Sequence, residues 1–169
     1  TLSARLNFML GNVNGAAASL ITLDDIKLEV LTVQEPVEEV YVDTMEIVDG
    51  GFDTTTEIVA EVQNSPGSDD TGEGFWYNWF ADWDGTAVAY TIVDGVLNID
   101  VTSVGGDFWS IQFKQKGIEL VQGETYKLSF TASSSVARDI IVEMASGDYQ
   151  STISLTETAG TYEYIFTYT

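Results

Sequence analysis

Apolar and polar positions alternate along most of this chain with the two-residue period of a β-strand. Residues 2–10, 20–31, 87–93, 95–102, 108–115, 125–132, 139–145, 149–155 and 161–168 either alternate in this way or run β-branched and aromatic. Turn signals separate them: Gly11-Asn12-Val13-Asn14-Gly15, Asp94-Gly95, Gly105-Gly106-Asp107, Gln122-Gly123-Glu124, Ser146-Gly147-Asp148 and Ala159-Gly160. Val93-Asp94-Gly95-Val96 predicts a tight hairpin, because Asp-Gly tolerates the positive φ angles that such turns require. No segment of a dozen residues repeats with a 3.6 period, so no long helix is expected. Many short strands with regular turns predict an all-β chain, a β-sandwich of two antiparallel sheets.

Two stretches break the pattern. Gln34 to Glu39, with Pro36 and three glutamates, predicts a linker, drawn here over residues 32–47. Asn64 to Gly74 (NSPGSDDTGEG) predicts a polar loop that runs straight into the aromatic cluster Phe75, Trp76, Tyr77, Trp79, Phe80 and Trp83.

Composition narrows the chemistry. The 169 residues suffice for one domain with a sizeable core, and 44% apolar content is that of a globular chain. With 27 acidic against 6 basic residues the formal charge is −21, a surface that repels nucleic acid and anionic lipid. The acidity serves solubility, or cation binding at particular carboxylate clusters. Cysteine and histidine are both absent, which removes disulfides, thiolate and imidazole metal sites, Cys nucleophiles and His-based triads together. No apolar stretch has the length of a membrane span and no leader pattern opens the sequence. The expectation is therefore a mature or excised extracellular domain.

Three of the four tryptophans lie within eight residues, and the fourth, Trp109, stands at the start of a predicted strand. Rings in a sandwich are usually core, yet Trp76 and Trp79 sit three apart beside polar loops, so one or two indoles are expected to face water. An exposed indole on a stiff sheet stacks on the apolar face of a pyranose, while amide, carboxylate and guanidinium groups meet its hydroxyls. If Ile111 and Phe113 point inward, Gln112 and Lys114 point out. Arg138, at the head of the strand beginning at Asp139, and Tyr149-Gln150 after its turn are further candidates for one open sheet face. For Gln112 and Lys114 a simply solvated face is an equal alternative.

At these residues the chain resembles the family 4/9/16/22 group of carbohydrate-binding modules, most closely the family 4 modules of β-1,3-glucanases. The resembling stretches are Val48 to Asp53, Trp76 to Trp79, Asp94 to Val101, Trp109 to Gln115, Gly123 to Ala132 and Thr161 to Thr169. The closing signature of such modules, an F-x-L-G strand and a strand ending in D-D-V, is similar to Phe8-Met9-Leu10-Gly11 and Leu23-Asp24-Asp25-Ile26, here placed first. The resemblance implies a jelly-roll sandwich with its usual last two strands at the N-terminus, residues 1–31 completing the body 48–169 in one permuted domain. A fragment of a tandem array, trading arms with a neighbour as a dimer, is the other reading of that order; the monomer is favoured.

The resemblance further implies non-catalytic binding of a polysaccharide or oligosaccharide, with no nucleic acid or membrane partner. Trp79 and Trp109 would stack, followed by Trp83 and Tyr149. Gln112 and Arg138, then Gln150 and Lys114, would make hydrogen bonds, and Trp76 would be core. Met9 stands where similar modules often carry a polar residue. β-1,3-Glucan (laminarin) leads, with mixed-linked glucan, cello-oligosaccharide and xylan open. A structural calcium ion is implied at Asp25, Asp53 and the backbone near Gly51, in keeping with hard oxygen donors. Two other classes stay in view. A glycoside hydrolase or lyase needs a carboxylate pair, and near the rings only Asp82 and Asp84 offer one, more suited to shaping a turn. A structural adhesion domain needs no sugar site.

Overall fold

The computed structural model describes residues 2–34, 38–61, 75–144 and 148–169. Among them are twelve strands and no α-helix: β1 (Leu2–Met9), β2 (Ser19–Gln34), β3 (Glu38–Asp43), β4 (Val59–Ala60), β5 (Trp76–Phe80), β6 (Thr86–Val93), β7 (Val96–Val104), β8 (Ile111–Leu120), β9 (Thr125–Ser134), β10 (Arg138–Met144), β11 (Tyr149–Leu155) and β12 (Gly160–Thr167). One sheet runs β11-β10-β1-β8-β5-β4, the other β12-β9-β2-β7-β6 with β3 on the far end of β2. All pairings are antiparallel except β4 with β5. This is the all-β sandwich that the alternation predicts.

Period-2 patterning explains the packing. In β1 the even positions Ala4, Leu6 and Phe8 are buried, as is Leu10 beyond it, and β9 alternates buried and half-buried throughout. Phe8 meets Phe130 of the opposite sheet edge-on at 5.1 Å, and Phe113 meets Tyr90 at 5.9 Å. Such edge-to-face pairs lock the two layers across the core. Asp94 and Gly95 take φ of 51° and 76°, the left-handed pair that closes the β6–β7 hairpin.

β1 and β2, the first two strands of the chain, each lie inside a sheet. β1 is held between β8 and β10, with Asn7 opposite Lys114 on one side and Glu143 on the other. β2 lies between β7 and β9.

The region expected as a linker is partly strand. β2 continues to Gln34 and β3 returns along it, with Glu29 opposite Asp43 and Thr32 opposite Val40. The reason is local: Val40-Tyr41-Val42 has strong strand preference, and Lys127 lies 4.6 Å over the Tyr41 ring. Pro36 and the polar stretch 64–74 lie outside the described residues. After β3 the chain returns to β2 at its bulge between Asp24 and Lys27, where Ile26 N–H donates to Gly50 O at 3.0 Å. A Cβ at Gly50 would stand 1.9 Å from the Ile26 carbonyl oxygen, so only glycine permits this approach.

Candidate functional site

The face of the six-stranded sheet turned away from the core carries two parallel rows of side chains. Directly opposed residues of neighbouring antiparallel strands share a face. The first row reads Gln150, Glu143, Asn7, Lys114, Tyr77 across β11, β10, β1, β8 and β5. The second, two residues along, reads Thr152, Ile141, Met9, Gln112, Trp79. Four inter-strand steps make each row about 19 Å long. One row is polar and ends in a phenol; the other is largely apolar and ends in an indole.

Most of these groups are buried, and their polar atoms are bonded to one another. Asn7 Nδ2 donates to Gln112 Oε1 at 2.8 Å, and Gln112 Nε2 donates to the Trp109 carbonyl at 2.8 Å. Lys114 and Lys116 both pair with Glu61, Lys114 also reaching Gln112 Oε1 at 3.3 Å. Glu143 accepts from Arg5 at 3.3 Å and from Gln150 at 3.1 Å. Burial pushes the Lys114 ammonium below its ordinary value, opposed by its bond to Glu61. Three of the six basic side chains of a −21 chain thus stand on this one face.

An indole ladder leads from the sheet into solvent. Trp79, 3% exposed on β5, lies 5.8 Å from Trp109, and Trp109 lies 5.8 Å from Trp83. Trp83 is 68% exposed on the short 3₁₀ turn Asp82–Asp84. Trp109 does not begin a strand but sits in the 105–110 loop, which Asp84 organises. One Asp84 carboxylate oxygen accepts from the Ser110 hydroxyl, from Gly106 N at 2.8 Å and from Asp107 N at 3.3 Å. The Ser110 hydroxyl and then the Gly106 amide hold this carboxyl below its ordinary range. Asp84 therefore shapes a turn, and does so directly behind the ladder.

A folded-state pKa held low means that this tie is complete above the ordinary carboxylate range and is lost as pH falls through and below it. The expected result is that tryptophan fluorescence from the loop shifts only once pH has fallen below about 4. In Asp84→Ala the acid shift is absent, and the neutral-pH spectrum already resembles that of the acidified protein. An acid shift of equal size in the variant would assign the transition to another group.

Of the expected site residues, Trp79, Gln112, Lys114 and Gln150 share this sheet face, joined through Trp79 by Trp109 and Trp83, and of these four only Gln150 is exposed. Two do not. Arg138 is 5% exposed and donates to the carbonyls of Leu10 (2.5 Å), Gly11 (3.0 Å) and Ala17 (3.1 Å) and to Ser19 Oγ (3.0 Å). It ties off the end of β1, and burial lowers its guanidinium to about 10. Tyr149 turns the other way, onto Phe166 at 5.0 Å and Tyr168 at 5.8 Å, against the core. Trp76 is core, as expected, its indole N–H donating to Asp49 O at 3.1 Å. Arg5, Asn7, Glu61, Tyr77, Lys116 and Glu143 belong to this face without having been singled out. For Arg5, Asn7 and Tyr77 the alternation already carried the signal, since each lies an even number of residues from Met9 or Trp79.

The oxygens expected around calcium converge in part. A Cβ placed on Gly51 would stand 3.4 Å from Asp53 Oδ2 and 3.8 Å from Asp24 Oδ1. One placed on Gly95 would stand 3.0 Å from Asp53 Oδ1 and 3.1 Å from the Gly51 carbonyl oxygen. The β2 bulge, where Asp25 takes φ of 50°, brings an Asp24 carboxylate oxygen to this patch. Burial, together with the charges of Asp25 and Asp53, raises the Asp24 carboxyl against the pull of the Asp25 amide. The donors are all oxygen and fit a hard cation in type, although no group of three or more His, Cys, Asp or Glu suited to a metal occurs among the described residues.

Residues 46–169 match the family model of the carbohydrate binding domain CBM_4_9, and the chain belongs to that family. Domains of this family typically bind carbohydrate without cleaving it. No curated protein and no solved structure gives a match.

Proposed function

We propose that the domain binds soluble β-glucan, β-1,3-glucan foremost, as a chain lying across the strands of the six-stranded sheet. The observation that carries this reading is the pair of rows. The apolar row from Ile141 to Trp79 suits the flat faces of sugar rings, and the polar row from Gln150 to Tyr77 suits their hydroxyls. Trp109 and Trp83, backed by the buried Trp79, extend the stacking surface beyond the sheet edge, and Gln150 at the exposed end of the polar row supplies hydrogen bonds, with Gln112 and Lys114 bracing the face beneath. Glu61 and Glu143 are engaged by Lys114, Lys116 and Arg5, which favours binding over acid–base cleavage. A preformed face of this kind gives micromolar or weaker affinity with little change of shape. Titration calorimetry against laminarin, barley β-glucan and xylan, with a reducing-end assay on each, tests it. Heat with laminarin and no new reducing ends is expected; no heat with any of the three overturns the reading.

The chain's order is read as a permutation, with β1 and β2 as the closing strands of the fold moved to the front of a monomer. A solution mass of one chain at low concentration is expected. Export as part of a larger glycan-active protein accords with this use. Calcium is proposed at Asp53, Asp24 and the Gly51 carbonyl, where a bound ion would neutralise the carboxylates and join β2 to the loop before β4. Excess EDTA is then expected to lower the melting temperature, with calcium restoring it; a superimposable melt removes the site.

A further inference from the structure

β6 ends one side of the second sheet, and among the described residues no strand pairs with its far side. The two-residue turn Asp94-Gly95 makes Val93 and Val96 a hydrogen-bonded pair, so Ala89, Thr91 and Val93 aim their N–H and C=O groups at β7. Val88, Tyr90 and Ile92 aim theirs outward, where no loop backbone among the described residues meets them. The bulge in this hairpin does not blunt the edge, because the extra residue, Thr102, is on β7. The other free edges are protected in the ordinary ways. β3 carries Glu38, Glu39 and Asp43, β12 carries Glu163, β4 is two residues long, and four of the seven residues of β11 are Gln, Ser or Thr. β6 has no charge, proline or glycine over its eight residues. Its core-facing Val88, Tyr90 and Ile92 stay half-buried, so the interior is unsealed along this edge.

We propose that this edge takes a second copy of the chain, β6 against β6 and antiparallel about a two-fold axis. The edge is complementary to itself. With Tyr90 opposite Tyr90 of the second copy, the outward backbone groups of Val88, Tyr90 and Ile92 bond those of the second copy's Ile92, Tyr90 and Val88. On the solvent side Ala89 meets Thr91 and Ala87 meets Val93, with no charge in any pair. A slip by two residues either loses a pair or brings Asp84 toward Asp94; the register centred on Tyr90 places Asp94 opposite Thr86 instead. Charge selects the occupant. Each copy carries −21, so two copies repel over most of their surface and approach most easily along an uncharged edge. A basic partner would be drawn to the carboxylates, of which β6 has none. One strand pair is a small interface, so the monomer prevails in dilute solution.

Sedimentation velocity on the whole chain, from about 10 µM to about 1 mM in low and in high salt, tests this. The dimer fraction is expected to rise with concentration and, at fixed concentration, with salt, because screening weakens the repulsion between two acidic copies. Thr91→Glu, on the exposed side of β6, is expected to weaken association by about tenfold or more with the melting temperature unchanged. The chain has no cysteine, which allows a test of register. Ala89→Cys and Thr91→Cys proteins, mixed and oxidised, are expected to cross-link to each other faster than either does to itself. The mass of one chain at every concentration and salt, which would leave the edge to a strand of another protein, overturns the proposal. So does a dimer that Thr91→Glu leaves intact, or cross-linking with no preference for the mixture.

Discussion

Trp109→Ala is expected to weaken laminarin binding by about thirtyfold, near 2 kcal/mol, with the melting temperature almost unchanged. The size follows from position. Trp109 is the middle rung of the indole ladder, 5.8 Å from Trp79 and 5.8 Å from Trp83. Its removal deletes one stacking surface and leaves Trp83 isolated in solvent. The fold is spared because the loop is held by backbone and polar contacts that alanine keeps. Asp84 still binds Gly106, Asp107 and Ser110, and the residue 109 carbonyl still accepts from Gln112. Calorimetry and a thermal melt on the same preparation separate the two effects. Retained affinity would take Trp109 out of the site, and a large drop in the melt would make it a structural residue.

The second large effect falls on stability. Phe8→Ala is expected to cost about 3–5 kcal/mol and to lower the melting temperature by roughly 10 °C. Phe8 is fully buried on β1 and meets Phe130 on β9 edge-on at 5.1 Å, so it fastens the N-terminal strand to the opposite layer. Alanine leaves a hole that strands hydrogen-bonded on both sides cannot close. Circular dichroism melts at several protein concentrations check this. A shift of only a degree or two would mean that β1 is not docked in the core of its own chain.

The layers of this fold were legible because alternation encodes them directly. Leu6 and Phe8 against Arg5, Asn7 and Met9 state the two faces of β1, and the three-residue spacing of Trp76 and Trp79 puts the two rings on opposite faces of the sheet, both of them buried. What escaped reading depends on contacts distant in sequence or on broken phase. Arg138 looked like a surface donor, since nothing local announces that carbonyls 127 and 128 residues earlier will surround it. Tyr149 shares the phase of Ile153 and Leu155 and so turns inward, a signal overlooked beside its adjacent turn. The β2 bulge brings Asp24 Oδ1 to the Gly51 loop, which strict alternation along the strand does not announce. The β2–β3 hairpin was hidden by Pro36 and its glutamates although Val40-Tyr41-Val42 favoured a strand.

The placement of β1 also orders events in time. During synthesis it emerges ahead of the rest of the domain, yet Asn7 finds Gln112 only 105 residues later and Arg5 finds Glu143 only 138 residues later. A nascent chain must therefore carry an apolar strand unpartnered until β8 has left the ribosome, and long-range closure of this kind is slow. Closely spaced copies translated together would meet each other's β1 during that interval, which makes exchange between neighbours the characteristic hazard of this architecture.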